Sequence, residues 1–137
     1  MKTKVCIVIA NYYPKISKGL LSGALNVLRK NNSIVYKIIF APGVFEIPVI
    51  ISKNIHLSHA FVALGCVIKG KTPHFDFISK ATTDAIMKLS IEHQKPVGNG
   101  IITCLNKKQA LVRSKTKGQE AANAVLSVLK SFDNPPE

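Results

Sequence analysis

The stretch Phe61-Val-Ala-Leu-Gly-Cys-Val-Ile-Lys-Gly-Lys-Thr-Pro-His-Phe-Asp-Phe77 decides how this chain is read. Phe61 to Leu64 open it as an unbroken apolar run, with the length and composition of a strand buried on both faces. Gly65 and Gly70 follow, with Lys69 and Lys71 flanking the second. Thr72-Pro73 then suits a helix start, because a hydroxyl caps the first amides and proline fits the first turn. Beyond it Ile78, Ala81, Ala85 and Leu89 recur at helical spacing as an apolar face. A strand, a turn bearing glycine and lysine, and a helix N-terminus together make an anion site. His74, of the one side-chain type that titrates near neutrality, falls in that helix's first turn, and the chemistry is expected here.

On the N-terminal side, Lys4 to Ala10 is an apolar, β-branched first strand, ended by Asn11-Tyr12-Tyr13-Pro14. From Ser17 the pattern is helical, with Leu20, Leu21, Ala24, Leu25 and Leu28 on one face, and Asn31-Asn32 close it. Ile34 to Phe40 reads as a second strand, with Val35, Ile38 and Ile39 as core candidates. Ala41-Pro42-Gly43 breaks it, and a helix starts near Phe45 with Pro48 in its first turn. On the C-terminal side, Lys95-Pro96 ends the third helix. Val97 to Leu105 is a fourth strand, interrupted by Gly98-Asn99-Gly100. A short helix over 107–113 and a last one from about Thr116 to Ser131 follow, the latter turning Ala121, Ala122, Val125, Leu126 and Leu129 inward. Asn134-Pro-Pro-Glu137 reads as a disordered tail. This alternation predicts one domain over 1–137, an α/β fold: a three-layer α/β/α sandwich with a four-stranded parallel sheet, flavodoxin-like. Ligands of such sheets bind beyond the carboxyl ends of the strands. The segments expected to meet there are 11–13, 42–46, 65–74 and 98–99.

The 137 residues suffice for a real core. The hydrophobic fraction of 47% fits a sheet covered on both faces, or a large subunit interface. No apolar run approaches the roughly 18 residues that span a bilayer. The basic, apolar N-terminus superficially resembles a signal peptide, but its apolar part is short and Asn11-Tyr-Tyr-Pro14 is no cleavage site. A buried first strand and a cytoplasmic location are expected instead. Cys6, Cys66 and Cys104 each sit in an apolar run and read as buried reduced thiols. No short-spaced ligand pair calls for zinc. The net charge is +12, yet seventeen of the nineteen basic residues are dispersed lysines. That pattern argues against a nucleic-acid surface and favours a phosphorylated substrate. Among only seven acids, Glu46 stands out by its apolar surroundings.

Three motifs carry a resemblance: Asn11-Tyr-Tyr13, Ala41-Pro-Gly-Val-Phe-Glu-Ile-Pro48 and Leu64-Gly-Cys-Val-Ile-Lys-Gly-Lys-Thr-Pro-His-Phe-Asp-Phe77. In order and spacing, from about Lys4 to Phe132, the chain resembles the 6,7-dimethyl-8-ribityllumazine synthase family of riboflavin biosynthesis. The resemblance implies condensation of 5-amino-6-ribitylaminouracil with 3,4-dihydroxy-2-butanone 4-phosphate, releasing phosphate and water. It implies that the aromatic after the first strand, best matched by Tyr12, stacks on the pyrimidine. Val44, Phe45 and Glu46 would hold the ribityl chain and ring edge, and Val67-Ile68 would present backbone groups to the uracil. Lys71 and Thr72 resemble the phosphate cradle, and His74 the proton-transfer residue. Arg113 matches the phosphate-binding arginine, and Lys117 a lysine near the substrate. The family's site lies between subunits of a pentamer, so the Asn99 loop and Arg113 of one chain would complete the pocket of the next. Three positions depart from the family's pattern. Tyr13 stands where asparagine is frequent, so it and Tyr12 could exchange roles; Asn99 replaces a covering aromatic, and Val112 an acid. Ser114 to Gly118 reads as a loop shorter than that of shell-forming members, which predicts pentamers or stacked pairs of pentamers. The rival functions are a flavin- or lumazine-binding protein without catalysis and a nucleic-acid module, the second disfavoured by the dispersed lysines.

Overall fold

Alternate residues of the central strands face opposite ways, as the period of two requires. Val5, Ile7 and Ile9 join Val62 and Leu64 in one buried cluster, while Cys6, Val8 and Ala10 join Phe61 and Ala63 in another. Both faces must therefore be covered, and helices cover them. The computed structural model describes residues 2–71 and 73–132. Thr72 and the expected tail at 134–137 lie outside the described residues.

The strands are β1 (Thr3–Ala10), β2 (Ile34–Ala41), β3 (Ala60–Ile68) and β4 (Val97–Cys104). The helices are α1 (Pro14–Arg29), α2 (Ile47–Lys53), α3 (His74–His93) and α4 (Lys107–Phe132), with a 3-10 turn at Val44–Glu46. All pairings are parallel and the sheet order is β2-β1-β3-β4. Helices α1 and α4 pack on one face, and α2 and α3 on the other. This is the expected three-layer, flavodoxin-like sandwich.

Three local expectations are corrected. Pro14 already occupies the first turn of α1, so that helix begins a turn earlier than Ser17. The Ser17 hydroxyl instead donates to the Ala10 carbonyl (2.9 Å) and ties the helix to the end of β1. Of the three core candidates on the edge strand β2, Val35 is exposed, and Ile38 and Ile39 are partly covered. In α3 the buried residues are Thr82 and Ile86, while Ala81 is exposed and Ile78, Ala85 and Leu89 are half-buried. The inward face is turned by one residue, because the first turns of α3 overhang a cavity instead of the core.

The largest correction concerns glycines. Gly98 and Gly100 do not interrupt β4, nor does Ser114 to Gly118 interrupt α4, a single helix of 26 residues. A Cβ at Gly98 would collide with the Ala121 carbonyl, and one at Gly118 with the Leu20 carbonyl. These glycines let α4 lie against β4 and α1, a packing use that looks like loop composition in a linear sequence. The Ser114 hydroxyl is satisfied within the helix by the Leu111 carbonyl at 2.8 Å. Asn99 consequently sits within β4, level with Ala63, and not beyond the strand's carboxyl end.

Candidate active site

Three strand ends build the site. The Asn11 amide donates to the Ala41 carbonyl (3.3 Å), holding the segments after β1 and β2 side by side. After β2, Val44 is buried, and a Cβ on Gly65 would lie only 2.8 Å from its Cγ2. Gly65 is thus the socket into which Val44 is pressed. That contact seats the 3-10 turn, leaving Phe45 exposed and Glu46 half-buried beside it. The glycine at 43 matters for a related reason: a Cβ there would stand 3.0 Å from Glu46 Oε1. After β3, the Lys69 amide donates to the Cys104 carbonyl (2.9 Å), which carries the β3–β4 ladder one residue further before the chain turns into α3.

Between these ends lies a cavity of about 670 Å³, beyond the carboxyl ends of β1, β2 and β3. Tyr12, Val44, Phe45, Glu46, Val67, Ile68 and His74 all line it. Seven of the expected site residues therefore meet, drawn from three separate strand–helix connections. Its size is within the range of pockets that bury a small organic ligand, and its walls are mainly apolar with a few polar groups. Tyr12 is 70% exposed, with its ring 4.9 Å from that of Tyr13 at an interplanar angle of 78°.

Other expected residues lie elsewhere. Lys71 is exposed on the β3–α3 connection and does not line the cavity; Thr72 is outside the described residues. Asn99 is exposed on the edge strand β4, where its Oδ1 accepts from the Ile101 amide at 3.0 Å. Arg113 is exposed on α4, and its Nη1 donates to the Thr103 carbonyl (3.0 Å) and toward Cys104 Sγ (3.6 Å). Lys117 is half-buried a turn further along α4. None of these three lines the cavity of its own chain.

Tyr13, the alternative stacking ring, also lines the wall, together with Pro42, Gly43, Cys66, Phe77, Ile78 and Ala81, to which no role was assigned. Phe77, Ile78 and Ala81 stand three, four and seven places after His74, the spacing of one helix face. That periodicity was readable, but an apolar stripe is equally a core signal, and the two separate only once the helix is placed. Cys66 is a buried thiol whose pKa is pushed up to about 12, first by burial and then by the neighbouring Cys104 thiol. The Arg113 guanidinium pulls the other way and loses. An un-ionised thiol is no nucleophile, so Cys66 is wall and not reagent. Burial also raises the Tyr13 phenol, with smaller contributions from Cys66 and Tyr12. Among the described residues no group of three or more His, Cys, Asp or Glu could hold a metal ion. No helix among them is long and apolar enough to cross a membrane.

A doubly wound sheet with a ligand-sized cavity at its carboxyl edge defines an α/β protein with room for a small molecule. The sequence narrows this further. Residues 2–133 match the family described as 6,7-dimethyl-8-ribityllumazine synthase. The chain is similar to the 6,7-dimethyl-8-ribityllumazine synthase of Bartonella bacilliformis, 42% identical, the match covering 90% of this chain and 86% of the relative. It is also 38% identical to 6,7-dimethyl-8-ribityllumazine synthase 1 of Caulobacter vibrioides, over 94% of this chain and 90% of that one. A synthase of the same name from Bartonella henselae is 41% identical, over 93% and 87% respectively. The chain belongs to this family. It is an enzyme, a transferase acting on small molecules.

Proposed function

We propose that this protein carries out the lumazine synthase step of riboflavin biosynthesis. It condenses 5-amino-6-ribitylaminouracil with 3,4-dihydroxy-2-butanone 4-phosphate to give 6,7-dimethyl-8-ribityllumazine, releasing phosphate and water. The observation that carries this reading is the meeting of Tyr12, Glu46 and His74, from three separate connections, around one cavity. Tyr12 offers an exposed aromatic face to the pyrimidine. The Glu46 carboxylate accepts hydrogen bonds from ribityl hydroxyls, and such charge-assisted bonds suit a carboxylate in an apolar setting. Val67 and Ile68 supply backbone groups at the last residues of β3, and Val44 and Phe45 line the same cavity.

The 5-amino group attacks the ketone carbonyl and water leaves to form an imine; phosphate is eliminated to an enol that becomes a new carbonyl; the ribitylamino nitrogen attacks that carbonyl and a second water leaves as the ring closes. Each step moves a proton near neutral pH, and His74 is the group placed to move it. Holding both partners in one cavity supplies much of the rate, since orientation is worth up to roughly 7–11 kcal/mol in the best cases.

Phosphate is held by Lys71 and Thr72 together with Arg113, whose planar fork suits phosphate better than an ammonium. Asn99, Arg113 and Lys117 do not line their own chain's cavity, which fits an arrangement in which one chain completes the pocket of the next. The assembly is a ring of five, or two such rings stacked. The uninterrupted helix through Ser114 to Gly118 leaves no loop there for building a larger shell. Apolar side chains left exposed on α3, including Phe77, Met87 and Ile91, are available to subunit contacts. The protein works in the cytoplasm without metal or cofactor.

The test is a two-substrate assay following lumazine absorbance, with wild type beside Arg113→Ala. Product formation by wild type, and a raised KM for the phosphorylated ketone in the variant, are expected. Pyrimidine binding without product would instead indicate a lumazine-binding protein that has lost catalysis.

A further inference from the structure

Tyr13 lies behind Tyr12 and touches more of the molecule than a turn residue needs to. It is half-buried against the cluster beneath α1 and α4 while also lining the cavity. Lys107 Nζ, at the start of α4, stands 5.8 Å from the centroid of its ring. Its ring also meets that of Tyr12 edge-to-face, 4.9 Å between centroids. Its backbone carbonyl accepts from the Ser17 amide (2.9 Å), so the residue is fixed at the first turn of α1.

We propose that Tyr13 is a positioning residue for Tyr12, holding the plane of the ring against which the pyrimidine stacks, with Lys107 as its brace. The physical argument concerns an exposed aromatic on a turn. Tyr12 is too open to be oriented by packing of its own. A neighbouring ring at 78° restricts it through the quadrupole preference for edge-to-face pairs. A cation near the partner ring draws that ring toward α4 in turn. The stacking surface is thereby oriented before substrate arrives, and less ordering remains to be done on binding.

This inference rests on the reading that Tyr12 stacks on the pyrimidine, and the experiment separates the two. KM for each substrate, and pyrimidine affinity by fluorescence titration, are measured on the assembled protein for Tyr12→Leu, Tyr13→Leu, Tyr13→Phe and the Tyr12→Leu/Tyr13→Leu double variant. Tyr13→Leu is expected to weaken pyrimidine affinity roughly two- to tenfold, the range of one edge-to-face contact, without changing KM for the butanone phosphate. Tyr13→Phe restores it, and in the Tyr12→Leu background Tyr13→Leu adds nothing. If Tyr12→Leu itself leaves pyrimidine affinity intact, the stacking reading fails. If Tyr12→Leu weakens affinity while Tyr13→Leu does not, or if Tyr13→Leu keeps its full effect without Tyr12, the positioning role is overturned. Should Tyr13→Leu not fold, Lys107→Ala decides the matter: a selective loss of pyrimidine affinity supports the brace, and unchanged affinity overturns it.

Discussion

His74 sits in the first turn of α3, over the cavity and across from the 3-10 turn that carries Glu46. A positioned general acid–base typically contributes about 10²–10⁴ in rate, whereas orientation of two substrates contributes more. His74→Ala should therefore lower kcat by about 10²-fold or somewhat more and leave turnover above the uncatalysed rate. Total loss with both substrates still binding would contradict that division of labour. Cys66 yields a pH prediction. Its folded pKa of about 12 lies above the ordinary 9.0, so the folded state keeps a proton that the unfolded chain gives up. The associated stability is complete below pH 9 and is lost as pH rises toward 12, at about 1.4 kcal/mol per pH unit within that window. Cys66→Ala should flatten the fall measured by denaturant unfolding between pH 9 and 11. A residual slope remains from Cys6, whose pKa burial also raises. An unchanged slope would mean that Cys66 ionises as freely folded as unfolded.

At the scale of elements, the α1–α4 contact is set by small residues. Gly19, Gly23, Ser114 and Gly118 let the two backbones approach, and a Cβ on Gly118 would meet the Leu20 carbonyl of α1 directly. A rigid helix axis cannot yield as a side chain can. Gly118→Ala should cost about 2–3 kcal/mol, in spite of alanine's better helix propensity, and lower Tm by roughly 5–15 °C. A gain in Tm by calorimetry would show that the crossing is looser than its geometry. The same residues explain what was hard to read. Gly98, Gly100 and Gly118 have loop composition, and only the proximity of α4 to β4 and α1 turns them into packing positions. The strands were easy to read by contrast, since the run from Val5 to Ala10 and that from Phe61 to Leu64 are apolar throughout.

At the scale of the whole molecule, the expected phosphate arginine does not line the cavity of its own chain. A site shared between neighbours predicts complementation. His74→Ala and Arg113→Ala chains, each poorly active alone, should regain activity when co-assembled. In a ring built from one repeated interface, about a quarter of the sites at equal mixing combine an intact His74 side with an intact Arg113 side. Absence of any recovery in co-expressed, co-purified protein would place both residues' work in one chain. Size-exclusion chromatography should show a species of five or ten chains, and elution at megadalton mass would refute that assembly. Sequence alone determined the three layers, the parallel sheet and the residues of the β1, β2 and β3 ends, because apolar patterns of strands and helices are local and strands alternating with helices must cross over in parallel. Only the tertiary structure decided that α4 is unbroken, that Asn99 belongs to a strand, and that the stripe through Phe77, Ile78 and Ala81 faces a cavity. Those outcomes depend on which backbone approaches which, a distance between segments remote in sequence that no local pattern encodes.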